Sequence, residues 1–325
     1  MSKILTVSPS PHVHGSDTTQ KIMYRVVYAM IPALAWSVFV FGLDALRVTL
    51  IAVASCMAFE FLIQKYLMKI KPTITDGSAL ITGILMAFNV PSNIPWWIII
   101  IGSLAAIGIG KLSFGGLGNN IFNPALVGRV FLLISFPVQM TSWPVNKLGG
   151  IDGITSATPL GLIKEGIANG TPISQISGLP NMTDMLLGID NGSLGEISAL
   201  MLILGGIYML WKKVITWHIP VSVVGSVALI AAIFWLIDAN MYINPVYHIA
   251  TGGLLLGAIF MATDMVSSPM TAKAQIIYGI GIGVITISIR MFGAYPEGIS
   301  FAILIMNAVT PLLNMYIKPK RFGGK

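Results

Sequence analysis

Charge is what this 325-residue chain has least of: Asp, Glu, Lys and Arg together make up 10% of it. A soluble domain carries about 25%, so a water-facing surface of ordinary size cannot be covered and a soluble enzyme is a poor first reading. Cysteine is almost absent. The single Cys56 excludes an intrachain disulfide, and one thiol cannot hold an iron–sulfur cluster, which takes about four cysteines. Histidine is scarce too, with four residues. Two of them, His12 and His14, lie in a polar tail and are too few for a metal site. No Walker loop and no dinucleotide glycine fingerprint occurs, so nucleotide binding by this chain is not expected. The first twenty residues lack an apolar core, and no cleavable leader is expected.

What fills the chain instead is apolar: 55% hydrophobic residues and a mean hydropathy of +0.83. That composition predicts a polytopic membrane protein. The net charge of +7 then belongs to loops between spans rather than to a nucleic-acid-binding surface. Ten apolar segments are expected to span: 24–43, 46–63, 78–90, 94–114, 121–138, 197–211, 214–237, 246–262, 274–290 and 299–316. The 34 residues between Asp76 and Lys111 carry no charge; as one helix they would measure about 51 Å at 1.5 Å per residue. A hydrocarbon core is about 30 Å thick, so the chain must turn, and Pro91-Ser92-Asn93-Ile94-Pro95 is the place.

Basic residues give the orientation. With the N-terminus inside, only Arg47, Lys147, Lys164 and Arg290 fall outside, Arg129 lies within a span, and the remaining Lys and Arg fall inside. Both termini are then cytoplasmic. The loop 139–196 lies outside the cytoplasm, where Asp152, Glu165, Asp184, Asp190 and Glu196 outweigh Lys147 and Lys164. The third and eighth segments are alike: Thr82-Gly83-Ile84-Leu85 and Thr251-Gly252-Gly253-Leu254 each run into a polar, proline-bearing break. Each is followed by a Gly-rich span closing on Phe-Gly, at Phe114-Gly115 and Phe292-Gly293. Five spans per half is an odd number, so the halves are expected to be inverted, and short, interrupted segments at matching places point to a site near the membrane midplane. The organisation expected is a tail over 1–23, a five-helix repeat over 24–138, the loop 139–196, a second repeat over 197–317 and a basic tail over 318–325. In fold class this is an all-α integral membrane protein.

Three stretches carry a resemblance. They are Lys111-Leu112-Ser113-Phe114-Gly115-Gly116 running through Asn119-Asn120-Ile121-Phe122-Asn123-Pro124-Ala125 to Arg129; Asp152-Gly153-Ile154-Thr155-Ser156-Ala157-Thr158-Pro159-Leu160; and Phe260-Met261-Ala262-Thr263-Asp264 through Tyr295-Pro296-Glu297-Gly298 to Met306-Asn307-Ala308. In them the chain resembles the family of the Rnf-complex D subunit and, more distantly, the B subunit of the sodium-pumping NADH:quinone reductase. That resemblance implies FMN joined through its phosphate to the threonine ending an Asp-x-x-Thr/Ser-Ser/Gly-Ala-Thr motif, here Asp152, Thr155, Ser156, Ala157 and Thr158. It implies a second, non-covalent flavin, riboflavin, for which no local motif fixes a place. It also implies an FMN-carrying electron-transfer subunit of a ferredoxin:NAD oxidoreductase that moves Na⁺ or H⁺ across a bacterial or archaeal cytoplasmic membrane. The expected partners are a periplasmic-side flavoprotein, cluster-bearing membrane subunits, cytoplasmic ferredoxin- and NADH-side subunits, and membrane lipid. Two other readings are a channel or secondary transporter, and the quinone-reductase subunit itself.

Further candidates come from the residues. Arg129 within a span is costly, by about 2.5–3.5 kcal/mol or more, so it either meets a partner or cofactor, which the resemblance implies is an anionic flavin group, or snorkels to an interface. Asn120 and Asn123, at the break before Pro124, offer amides that can bond a flavin edge or satisfy freed backbone groups. Asp264 is placed for cation or cofactor contact or for an interfacial turn. Glu60 is expected to pair with the lysine-rich loop at an interface, with ion handling as the rival. His218 and His248 are expected to bond backbone near span ends.

Overall fold

The computed structural model describes residues 17–144, 158–176, 178–188, 192–196 and 198–319. Those residues form helices joined by turns. The first half holds α1 (Thr19–Phe41), α2 (Leu43–Leu62), α3 (Ser78–Phe88), α4 (Trp96–Leu104) and α5 (Pro124–Ser135), then the short α6 (Pro137–Thr141). The connection between halves carries α7 (Pro159–Ala168) and α8 (Met182–Leu187). The second half holds α9 (Ala199–Trp211), α10 (His218–Ile237), α11 (Pro245–Ala250), α12 (Leu254–Leu256), α13 (Ala272–Phe292) and α14 (Ile299–Tyr316).

The helix starts are written in the sequence. Asn-Pro or Thr-Pro pairs place a capping side chain before a proline whose missing N–H costs nothing at the first helical position. Asn123 caps α5 by accepting from the amides of Ala125 and Leu126, Asn244 caps α11, and Thr158 caps α7. Three helices end in a wide π turn: α2 in Ile63–Leu67, α4 in Ala105–Ile109 and α12 in Gly257–Met261. Such turns insert a residue and re-aim the chain. They bring Gln64, Lys111 and Asp264 to polar positions.

Counting their extensions, six helices among the described residues are long and apolar enough to cross a membrane: Thr19–Phe41, Leu43–Leu67, Trp96–Phe114, His218–Ile237, Ala272–Phe292 and Ile299–Tyr316. Three of the other expected spans are the shorter apolar helices α3, α5 and α9. The eighth is broken at Thr251–Gly253 into α11 and α12. The turn expected at residues 91–95 separates α3 from α4. The two halves pack alike. α2 lies against α4, tied by the Ser55–Ser103 hydrogen bond of 2.8 Å, and α10 lies against α13. Their first helices meet, because Gly205 of α9 lets the backbone ride onto the Ala29 carbonyl of α1, where any side chain would collide.

α3 is the hub. It is 11 residues long, about 16 Å at 1.5 Å per residue, and nearly all of its surface is buried. A helix that short spans only about half the apolar thickness. Its two ends therefore open inside the protein, and a polar cluster sits at each.

Candidate functional site

At one end of α3 stands Arg129, carried by α5 and 5% exposed. Its Nη1 donates to Asn89 Oδ1 at 2.7 Å, just beyond the last turn of α3. Its Nη2 donates to Glu297 Oε2 at 2.5 Å and reaches Glu196 Oε1 at 3.5 Å. The snorkelling alternative is thus overturned: the guanidinium turns inward to two carboxylates and an amide. Glu196 arrives because residues 194–195 dock onto the end of α3, with the Gly195 amide donating to Phe88 O at 2.9 Å. Glu297 comes from the turn before α14.

A second arginine completes the cluster. Arg290 of α13 is buried, and its Nη1 donates to His248 O at 2.6 Å and its Nη2 to Thr251 O at 3.1 Å. Cations are favoured at a helix C-terminus by its unpaired carbonyls and dipole, and here one holds the break between α11 and α12. Gly252, in the break, has φ +68°. A Cβ there would lie 2.7 Å from Leu160 Cδ1, 3.0 Å from Arg290 Nη2 and 3.1 Å from Glu297 Oε1. Only glycine allows both this backbone and this approach.

Thr158 lies over the cluster. It caps the ten-residue α7, its Oγ1 accepting from the Gly161 amide at 3.2 Å, and it is 8% exposed. Leu160 and Ile163 of α7 bury against Ile243, and Lys164 Nζ donates to Tyr295 O at 2.6 Å. Two cavities meet at Thr158. One is lined by Glu196, Glu297, Thr251 and Gly252. The other, of about 250 Å³, is lined by Arg129, Asn89, Trp143, Tyr295 and Phe301.

The two carboxyl groups touch each other as well as Arg129. Burial, and then repulsion from Glu297, raises Glu196 well above the ordinary carboxylate range. Burial works to raise Glu297 too, but the Arg129 charge, the bond from Glu196 and the Arg290 charge outweigh it and lower that group. Burial also lowers Lys164.

The structure brings Thr158 and Arg129 to one cavity. Asp152, Thr155, Ser156 and Ala157 lie outside the described residues, as do His12 and His14. Asn120 and Asn123 are not at this site; they line a separate cavity at the other end of α3 with Ser78, Thr82, Lys111, Thr263 and Asp264. There Asn123 also donates to Met261 O at 3.1 Å, Asn120 donates to Phe122 O, and Asp264 accepts from Ser267. The expectation for Glu60 is corrected. It is wholly buried and accepts from Lys111 at 2.7 Å to each oxygen and from Gln64 Nε2 at 3.2 Å to Oε1, while Lys111 also donates to Ser78 Oγ at 2.6 Å. Low dielectric favours this close pairing over one with solvated lysines. His218 stacks on Trp217 at 4.2 Å, and both ring nitrogens of His248 lack a partner among the described residues, so neither imidazole bonds backbone there.

Sequence reasoning misses Glu196, Glu297 and Arg290 as site residues. Their signal is indirect: an arginine inside a span needs a buried counter-charge, and Glu297 belongs to the Tyr295-Pro296-Glu297-Gly298 stretch that carries part of the family resemblance.

Comparison with known proteins gives one consistent picture. The family model of the NQR2, RnfD, RnfE family matches residues 6–323. The chain is 45% identical, over 99% of its length and 97% of the relative, to the D subunit of the proton-translocating ferredoxin:NAD(+) oxidoreductase complex of Clostridium ljungdahlii. It is 47% identical, over 98% of its length and 95% of the relative, to the D subunit of the Na(+)-translocating ferredoxin:NAD(+) oxidoreductase complex of Acetobacterium woodii. It is 36% identical, over 99% of each chain, to the D subunit of the ion-translocating oxidoreductase complex of Escherichia coli.

Proposed function

This chain belongs to the NQR2, RnfD, RnfE family, and on that premise we propose that it is the FMN-carrying electron-transfer subunit of a membrane-bound ferredoxin:NAD oxidoreductase complex that moves Na⁺ or H⁺. The relatives named as complex subunits supply the assembly and its overall reaction. The flavin is our own reading, and one observation carries it: the Thr158 hydroxyl at the start of α7, over a cavity walled by aromatic rings and reached by Arg129.

The residues present fit the group. A phosphoester at the N-cap places its negative charge at the positive end of a ten-residue helix, where free amides and the dipole favour anions. Trp143, Tyr295 and Phe301 offer an isoalloxazine ring stacking walls, while Asn89 and Arg129 offer hydrogen-bonding edges. Bound there, FMN would supply the electron chemistry that threonine lacks. The chain's own work is placement. Thr158 tethers, so occupancy does not depend on affinity; α7, fixed by Leu160, Ile163 and Lys164, sets where the tether starts; and Arg129 places positive charge beside the ring. Asp152, Thr155, Ser156 and Ala157 are then what a separate transferase reads, on the side of the membrane away from the lysine-rich loops.

The second, non-covalent flavin belongs in the cavity lined by Asn120 and Asn123. Its walls are apolar, through Leu85 and Phe260, and its one lining cation among the described residues, Lys111, is already matched by Glu60. A flavin without phosphate suits a cavity with no spare positive charge. Partners are the remaining subunits of such a complex: a flavoprotein on the outer side, cluster-bearing membrane subunits, and ferredoxin- and NADH-side subunits in the cytoplasm.

Fluorescence of the denatured protein tests the tether. The chain made with its transferase should glow as a single band under ultraviolet light, Thr158→Ser should retain the signal, and Thr158→Ala should lose it. A fluorescent Thr158→Ala band would place the flavin elsewhere. Assaying the purified complex with ferredoxin and NAD, and separately with NADH and quinone, distinguishes this assembly from the quinone reductase.

A further inference from the structure

Glu196 and Glu297 have no task in holding the flavin beyond facing Arg129, yet their arrangement is unusual for a structural ion pair. Two carboxyl groups from different connections meet in hydrogen-bonding contact, Glu196 buried and Glu297 with 13% of its side chain exposed, and both line the cavity under the Thr158 hydroxyl. Glu297 lines the aromatic cavity too. Two carboxylates in contact cannot both ionise freely, and the pair titrates as a unit. The charged groups facing them are Arg129 from α5 and Arg290 from α13. Beyond these lie the His248 imidazole of α11, beside Arg290, and Lys164 of α7, which bonds the turn that carries Glu297. Among the described residues no further acidic group adjoins the pair.

With one proton between the carboxyls, the four groups carry one net positive charge, which matches the single negative charge of a phosphodiester on Thr158. With no proton, they are neutral and that phosphate is unmatched. We propose that Glu196 and Glu297 share one proton and exchange it with the electron carrier held at Thr158. The inference rests on the FMN reading for the identity of that carrier. The exchange balances as one electron and one proton. When an electron arrives from the complex, the O–H bond of the pair breaks and a bond from that proton to a ring heteroatom forms. The ring's net charge is unchanged, and the pair passes from one negative charge to two, balanced by Arg129 and Arg290. Loss of the electron reverses both steps.

The test is infrared difference spectroscopy on the purified complex, with the flavin potential followed against pH. Reduction should remove a protonated-carboxyl carbonyl band that shifts in D₂O and is absent from Glu196→Gln. The flavin's midpoint should fall as pH rises, by up to tenfold in its equilibrium per pH unit, about 59 mV for one electron. The slope should flatten in Glu196→Gln. A purely structural pair would leave that slope alone. If Glu196→Gln does not assemble, Glu297→Gln should show the same loss of band and slope. A wild-type spectrum without the band, or a band that survives in both variants, overturns the proposal. The Thr158→Ala chain separates the two readings: a pH-driven carboxyl band in it shows that the pair holds its proton whether or not the flavin is attached. A pair that titrates there but does not respond to reduction in the flavin-loaded wild type overturns the exchange alone.

Discussion

The two ends of α3 hold their buried charges differently. At the Ser78 end, Lys111 spends its three donors on Glu60 Oε1, Glu60 Oε2 and Ser78 Oγ, a closed one-to-one pair. At the Asn89 end, the planar fork of Arg129 spreads over an amide and two carboxylates, and Arg290 is held to backbone carbonyls close by. A lysine is a compact point charge and suits a single anion; an arginine can bridge several groups in fixed directions. The first arrangement is saturated and belongs wholly to the first half of the chain. The second joins both halves and leaves a carboxyl–carboxylate contact beside two cavities, so charge can change there without emptying the cluster of partners.

That contrast can be broken by substitution. Lys111→Met strands a buried Glu60 and should cost about 3–5 kcal/mol, read as a large drop in the thermal midpoint of the complex in detergent. The double variant Glu60→Gln/Lys111→Met should recover most of it, since a neutral pair buries no lone charge. Arg129→Met should cost as much, but neither Glu196→Gln nor Glu297→Gln alone should restore it, because Asn89 and the remaining carboxylate still lack the hydrogen bonds that Arg129 donates. Recovery by either single change would show that the Asn89 end is also a simple pair. Arg129→Lys keeps the charge but cannot serve three acceptors in the same directions; the loss of one charged hydrogen bond is worth about 1.5–3 kcal/mol. Gly252→Ala should cost about 1–3 kcal/mol through its left-handed backbone and should disturb flavin spectra by pressing on Arg290 and Glu297. A Gly252→Ala complex with wild-type spectra and midpoint would remove Gly252 from the site. The smallest stability effect is expected from Thr158→Ala, about 1 kcal/mol for the lost cap, although on the proposed reading it would remove the flavin's tether entirely.

Much of the architecture was legible because local rules decide it. Pro91 to Pro95 had to turn a stretch too long for the membrane, whereas the break inside the eighth span at Thr251 to Gly253 is not expected from the sequence, where that segment reads as one apolar run from 246 to 262. Thr158 could be singled out as a candidate because the stretch that resembles the family motif is contiguous. The remainder of the site could not be read this way. Glu196 and Glu297 stand 67 and 168 residues from Arg129, and counting charges by loop assigns such residues to water. Glu60 failed for the same reason: its partner is 51 residues away, beyond a π turn that no local pattern announces. Buried ion pairs are long-range facts, and only the neutrality that a low-dielectric interior demands hints at them in sequence.

The most direct measurement is the mass of the tryptic peptide covering residues 148–164, taken from the complex purified from its native host. Attachment at Thr158 predicts an addition the size of FMN, localised to that residue on fragmentation and missing from Thr158→Ala. A peptide of unmodified mass, from a complex that still moves electrons, would contradict it.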